Sequence, residues 1–248
     1  MACSKSSQST EGCICQEEDL WSSPDILSLQ LLCPLYQDKK LTKLLPILLR
    51  RYQINELITK GEMQHNVDPS YRKHFTPLFK IICECMCLAF GIEVQELKTS
   101  SKVYALLPVL GLNFHGILGD DCQSISKINL LVVLLIVIFL KGNRISEEDL
   151  KEFLRIRETL PQRKCFEIAD PWKFIREELV RAKYLVYQQV PNSDPAQYEF
   201  LWGPRTHTET SKMKVLEHLA KVNKRDPKSY TRLYDEALRE KQETGPAK

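Results

Sequence analysis

The chain has 248 residues, 43% of them hydrophobic and 27% charged, with a formal net charge of +3. That length and apolar content suffice for the core of one large domain or two small ones. The small net charge excludes any argument for a polyanionic partner from charge alone.

Charge is nonetheless uneven. Residues 1–40 carry three lysines and six acids, a net −3, which leaves +6 (+3 minus −3) on the rest. The nine cysteines are Cys3, Cys13, Cys15, Cys33, Cys83, Cys85, Cys87, Cys122 and Cys165, an odd number at irregular spacing. The N-terminal residues are polar and lack the apolar run of a secretory leader. Together these predict reduced thiols and an intracellular setting, nucleus or cytoplasm.

Residues 1–40 read as a disordered, acidic, Ser-rich tail, with too little apolar surface to order itself; a short apolar patch lies at 26–32. Order is expected from Leu41. Leu41, Leu44, Leu45, Leu48, Leu49 and Tyr52 fall on one stripe of an amphipathic helix, and Pro46 means that it either starts there or kinks. Thr59-Lys60-Gly61-Glu62 has the form of a capping box and predicts a second, short helix ended by Asp68-Pro69-Ser70. A third helix is predicted over 70–90, with Phe75, Leu78, Phe79, Ile82, Met86 and Phe90 inward and Gly91 as its stop. Residues 92–97 and 103–107 alternate as a hairpin. Three helices and a hairpin outline a winged helix.

Residues 111–126 read as a linker, and the outline then repeats. Residues 130–140 are apolar without interruption, too short for a bilayer-spanning helix and apolar all round, as a central core helix is. Their Val and Ile content also suits a buried strand, but the length and the stop at Lys141-Gly142-Asn143-Arg144 favour a helix over about 127–141. Acids at 147–149 open a helix to about 158. A loop follows over 161–169. Asp170-Pro171 caps a helix to about 181. Residues 184–190 and 197–202 form a second hairpin, with Tyr198, Phe200 and Trp202 expected in the core. Trp202-Gly203-Pro204-Arg205 reads as a turn, and helices follow over about 209–223 and 228–240. The predicted fold class is mostly α with small β-hairpins (α+β): two tandem winged-helix units, 41–110 and 127–205, with C-terminal helices 206–240 packed on the second unit and a frayed tail.

No catalytic constellation emerges. Gly111-Leu112-Asn113-Phe114-His115-Gly116 lacks the spacing and setting of a phosphate loop. On a helix Cys83 and Cys87 share a face while Cys85 points elsewhere, whereas structural zinc needs four converging ligands. The five histidines are scattered. The expectation is therefore no enzyme, no metal and no cofactor. A winged helix invites DNA binding through its third helix, but Arg72, Lys73 and Lys80 in the first unit, and Lys173, Arg176, Arg181 and Lys183 in the second, are offset by Glu84, Glu177 and Glu178. The basic run Lys221, Lys224, Arg225, Lys228 and Arg232 offers at most a weak phosphate contact.

Tyr198-Glu199-Phe200-Leu201-Trp202-Gly203-Pro204-Arg205, then 209–216, resembles the signature of the melanoma antigen (MAGE) family. So do Thr59-Lys60-Gly61-Glu62-Met63, Phe90-Gly91-Ile92-Glu93-Val94, Leu110-Gly111-Leu112, residues 116–120, Asp170-Pro171 and residues 189–195. The resemblance runs from about Leu41 to Glu240. It implies a homology domain of two tandem winged helices and a non-enzymatic adaptor that binds a RING-type E3 ubiquitin ligase, adjusting its activity or substrate choice. The alternative it implies is a nucleic-acid-associated subunit of a chromosome-maintenance or transcription complex.

The family's ligase contact includes a Leu-Leu pair on the first helix, which falls on Leu48 and Leu49. Read from the residues alone, both are core. Adjacent helical positions lie about 100° apart, so one can face inward while the other reaches a partner. This chain departs from the pattern at Pro46 and Arg50. Ser126-Lys127-Ile128-Asn129 also stands where Pro-Lys-x-Gly is usual, and Asn in place of Gly is expected to shift the packing between the units.

Overall fold

The computed structural model describes residues 43–67, 69–97, 102–114, 116–117, 123–159 and 168–243. The predicted N-terminal tail with its apolar patch, the turn after residue 97, much of the linker, most of the loop before Asp170 and the last residues lie outside that set.

The first unit runs α1 (Leu44–Gln53), β1 (Ile58–Thr59), α2 (Lys60–His65), a 3-10 segment (Pro69–His74), α3 (Phe75–Phe90), β2 (Ile92–Leu97) and β3 (Val103–Pro108). Pro46 sits in the first turn of α1, where a missing N–H costs nothing because that group has no helical partner. The capping box is present: Glu62 N–H donates to Thr59 Oγ1 at 3.1 Å and Thr59 N–H to Glu62 Oε2 at 2.8 Å. The Thr59 N–H, then the Thr59 hydroxyl, which also donates to Oε2 at 2.8 Å, and the Arg51 guanidinium hold the Glu62 carboxyl below its usual range. Gly91 ends α3 in the left-handed region, φ +62°.

The second unit repeats the order: α4 (Ser124–Leu140), β4 (Arg144–Ser146), α5 (Glu147–Thr159), α6 (Pro171–Lys173, running on as a π-helical stretch Phe174–Leu179), β5 (Leu185–Gln189) and β6 (Tyr198–Trp202). Asp170 caps α6, accepting from Lys173 N–H at 2.8 Å. Gly142 (φ +85°) and Asn143 (φ +71°) stop α4, with Asn143 N–H returning to the Ile138 carbonyl at 2.8 Å. α7 (Pro204–Glu209), α8 (Lys212–Val222) and α9 (Thr231–Glu243) complete the chain.

Both sheets are antiparallel with their last strand in the middle, β1-β3-β2 and β4-β6-β5. Two strands were not foreseen. β1 places Ile58 opposite Tyr104, and β4 places Ile145 opposite Phe200. At two and three residues they are too short to show an alternation. Other corrections follow from capping. The helix predicted from 209 begins at Lys212, after Ser211 accepts from Lys214 N–H. The predicted turn at 202–205 opens α7, with Pro204 at its first position. Phe200 and Trp202 are buried as expected. Tyr198 is 38% exposed, stacked on Tyr187 at 5.0 Å near the sheet's surface.

α4 is the centre. Leu130 to Phe139 are all 2% exposed or less, covered by α3 from the first unit, β4 and β6 from the second, and α8. Trp202 adds a hydrogen bond from its indole N–H to the Leu135 carbonyl at 3.0 Å. The C-terminal helices dock on both units, since α8 also contacts α3. There His218 donates from Nε2 to the Leu88 carbonyl at 3.0 Å, and its Nδ1 is buried with no hydrogen-bond partner among the described residues.

Burial drives the His218 pKa down from 6.5 to about 4. The unfolded chain therefore takes up this proton near pH 6.5 and the native chain only near pH 4. Between those values the unfolded state binds more protons, so the interaction is intact above the window and stability falls as pH drops, by about 1.4 kcal/mol per unit. Urea unfolding across this range should show a steeper loss for the wild type than for His218→Gln, which keeps a donor but cannot titrate. Parallel curves for the two proteins would contradict the assignment.

Candidate partner interface

α1 carries the Leu pair singled out in the sequence. Leu48 and Leu49 are both buried in the core, at 0% and 1% exposure, together with Leu44, Leu45 and Tyr52. Neither side chain reaches solvent, so the expectation that one of them faces outward is not met in this conformation. The outward face of α1 is Pro46, Arg50 and Gln53, and it leads to Ile54 and Leu57, which are 51% and 50% exposed.

These two are not on a loose loop. Asn55 turns the chain with φ +52°, and Ile54 N–H and Glu56 N–H return to the Arg50 and Arg51 carbonyls at 3.1 and 2.9 Å. The Arg51 guanidinium bridges Glu56 at 2.5 Å and Glu62 at 3.0 Å, tying the turn to the capped start of α2. Ile54 and Leu57 are thus two apolar side chains held outward by a hydrogen-bonded turn, beside the exposed cation Arg50. Sequence reasoning passed over them because they fall after the stripe of α1. The signal available was their phase: Ile54 is six residues beyond Leu48, off the buried face.

The surface is kept in place by the junction of the units. Leu110, Leu112 and Phe114 are buried, and the Tyr52 hydroxyl donates to the Leu112 carbonyl. Asn113 meets the second unit at Glu209. That carboxylate accepts from Asn113 N–H at 3.1 Å and the Tyr184 hydroxyl at 2.8 Å on Oε2, and from Arg205 Nε at 2.7 Å on Oε1. Arg205 also donates to Asn113 Oδ1 at 2.6 Å and lies over the Tyr184 ring at 4.2 Å. Burial first, then the hydrogen bond to Glu209, push the Tyr184 phenol far above its ordinary value, so it stays a donor. Gly111 (φ +81°) is required here: a Cβ on it would run into the Glu209 carbonyl oxygen.

Asn129, the departure on α4, has a role of its own. It is buried, donates to the Ala89 carbonyl of α3 at 3.2 Å and accepts from Arg157 at 3.0 Å, so a side chain joins the units at that point. Lys127 beside it pairs with Glu178 at 3.0 Å.

The other candidates do not converge. Arg72, Lys73, Lys80, Lys173, Arg176, Arg181 and Lys183 are exposed, but Glu84 and Glu177 are exposed on the same helices and Arg176 sits over the Tyr187 ring at 5.1 Å. Lys224, Arg225 and Lys228 are exposed around one short turn. No group of three metal-ligating side chains occurs among the described residues, and no helix among them is long and apolar enough to cross a membrane.

Comparison with known proteins gives concordant results. The family model described as the MAGE homology domain matches residues 115–213. Human melanoma-associated antigen 11 is 44% identical over 96% of this chain, human melanoma-associated antigen 8 is 43% identical over 91%, and human melanoma-associated antigen 4 is 39% identical over 95%. The chain spans 55%, 70% and 74% of the length of these relatives, respectively. Among solved structures, a chain of the Nse1-Nse3-Nse4 complex is 32% identical, the match covering 86% of this chain and 97% of that one, at a TM-score of 0.44.

Gly111 and Gly116 share φ +81°, but a Cβ on Gly116 meets nothing within 4 Å. Alanine at either position carries left-handed strain of about 1–3 kcal/mol; at Gly111 the collision with Glu209 adds to it. Gly111→Ala should therefore lower the urea midpoint well beyond Gly116→Ala. Equal losses would show that the junction yields without cost.

Proposed function

Because this chain belongs to the melanoma antigen (MAGE) family, we propose that it is a non-enzymatic adaptor whose first unit docks a RING-type E3 ubiquitin ligase and modulates its activity or substrate choice. The observation that carries the proposal is the turn closing α1. It holds Ile54 and Leu57 in water on a rigid frame, and large apolar side chains kept exposed in this way fit an interface better than a core. The contact passes from the buried pair Leu48 and Leu49 to the outer end of the same helix. Arg50 beside it favours a partner surface with a carboxylate at its rim.

Two roles are thereby separated along one helix. Truncating Leu48 or Leu49 to alanine removes core packing at about 2–5 kcal/mol each, so the double variant should lose its cooperative thermal transition and its binding together. Ile54→Glu with Leu57→Glu should leave circular dichroism and melting unchanged while abolishing co-purification of a RING ligase from cells. If the glutamate variant still captures the ligase, the interface lies elsewhere. If no RING protein is captured by the wild type, the adaptor reading itself fails.

A further inference from the structure

Three cysteines lie on α3, and one of them has a lysine against its sulfur. Lys221 on α8 donates from Nζ to Cys87 Sγ at 3.0 Å. Cys87 is buried, whereas the Lys221 side chain otherwise reaches solvent. His218, one turn earlier on α8, bonds the carbonyl of Leu88, the residue after Cys87. The thiol, the amine and the buried imidazole therefore lie together where the C-terminal helices meet the first unit. Nothing in the adaptor reading uses them.

The geometry points to an oxidative modification site: we propose that Cys87 and Lys221 form a peroxide-triggered, thiol-reversible sulfur–nitrogen crosslink that staples α3 to α8.

Burial raises the Cys83 thiol to about 11, so it stays protonated at neutral pH. Cys85 is buried on another face of the helix. At Cys87 the sulfur that peroxide oxidises and the amine that can trap it lie 3.0 Å apart.

The chemistry balances in two steps. The Cys87 thiolate attacks hydrogen peroxide: an S–O bond forms, the O–O bond breaks, and the departing hydroxide is protonated to water. Sulfur is oxidised by two electrons and the peroxide is reduced by two. The neutral sulfenic acid no longer holds the ammonium, which gives its proton to solvent. The Lys221 amine then attacks sulfur: the S–N bond forms, the S–O bond breaks, and water leaves with the amine's proton. Thiol, amine and one peroxide give a sulfenamide and two waters, the known condensation of a sulfenic acid with nitrogen. The lysine stem has four rotatable carbons, so the amine closes the remaining gap without moving either helix.

The test uses the full chain treated with hydrogen peroxide, alkylated, and digested with a protease that does not cut at lysine. Mass spectrometry should find the Cys87 peptide joined to the Lys221 peptide at their summed mass less two hydrogens, and dithiothreitol should separate them. The product should persist in Cys83→Ser, which excludes a disulfide within α3. It should fall to background in Lys221→Arg, which keeps the cation but removes the amine nucleophile. Recovery of Cys87 only as sulfinic or sulfonic acid, only in a disulfide, or in the same crosslink after Lys221→Arg, overturns the proposal.

Discussion

Ten consecutive side chains of α4, Leu130 to Phe139, leave water together, and the other elements are placed by how they cover them. A helix apolar on every side cannot rest on a single layer. One side is taken by α3, another by β4 and β6, and a third by α8. Each of these side chains is worth about 1.5–3 kcal/mol buried rather than exposed, so drawing the units apart would uncover more apolar surface than any polar contact between them could offset. The two winged-helix units share one core, although each has its own sheet and its own hairpin.

Apolar burial sets that the units stay together but not their angle, since it has no direction. Directional contacts supply it at two places, and a third ties the C-terminal helices to the second unit. Asn129 spans Ala89 and Arg157. Glu209 gathers Asn113, Tyr184 and Arg205 around one carboxylate. Asn143 and Lys212 meet on Glu236 at 2.5 and 2.6 Å, fastening the stop of α4 to α9. Where such a group is buried, as Asn129 is, it favours one arrangement, because any other leaves a polar atom unpaired. At Asn129, where this chain departs from the Pro-Lys-x-Gly pattern, the side chain carries a hydrogen bond across the seam to Ala89.

Much of this was readable in the sequence where the signal is local. The capping box at Thr59, the Asp170-Pro171 start, the Gly91 stop and the apolar run of α4 each act within a few residues, and each is where the residues place it. What acts at a distance was not readable. Glu209 and Asn113 are 96 residues apart, and nothing in either neighbourhood announces the other. β1 and β4 exist because a hairpin edge recruits two or three residues, not because those residues prefer to be strands. Tyr198 alternates in phase with Phe200 and Trp202, yet it lies at the end of β6 where the sheet's cover stops. The Leu48–Leu49 pair shows the limit from the other side. Periodicity placed both inside, as the structure does, and only the resemblance argued otherwise.

The candidate interface follows from the same economy of faces. α1 spends its apolar stripe on the core, so whatever it offers a partner comes from the residues that leave that stripe. A flexible segment carrying Ile54 and Leu57 would lose ordering entropy on binding. Here that ordering is already complete, because Arg51 holds the turn to Glu56 and Glu62 before any partner arrives. The frame is in turn only as firm as the helix beneath it, and that helix is anchored by Leu48 and Leu49. A buried residue pair can therefore shape what a helix offers at its surface without being exposed itself.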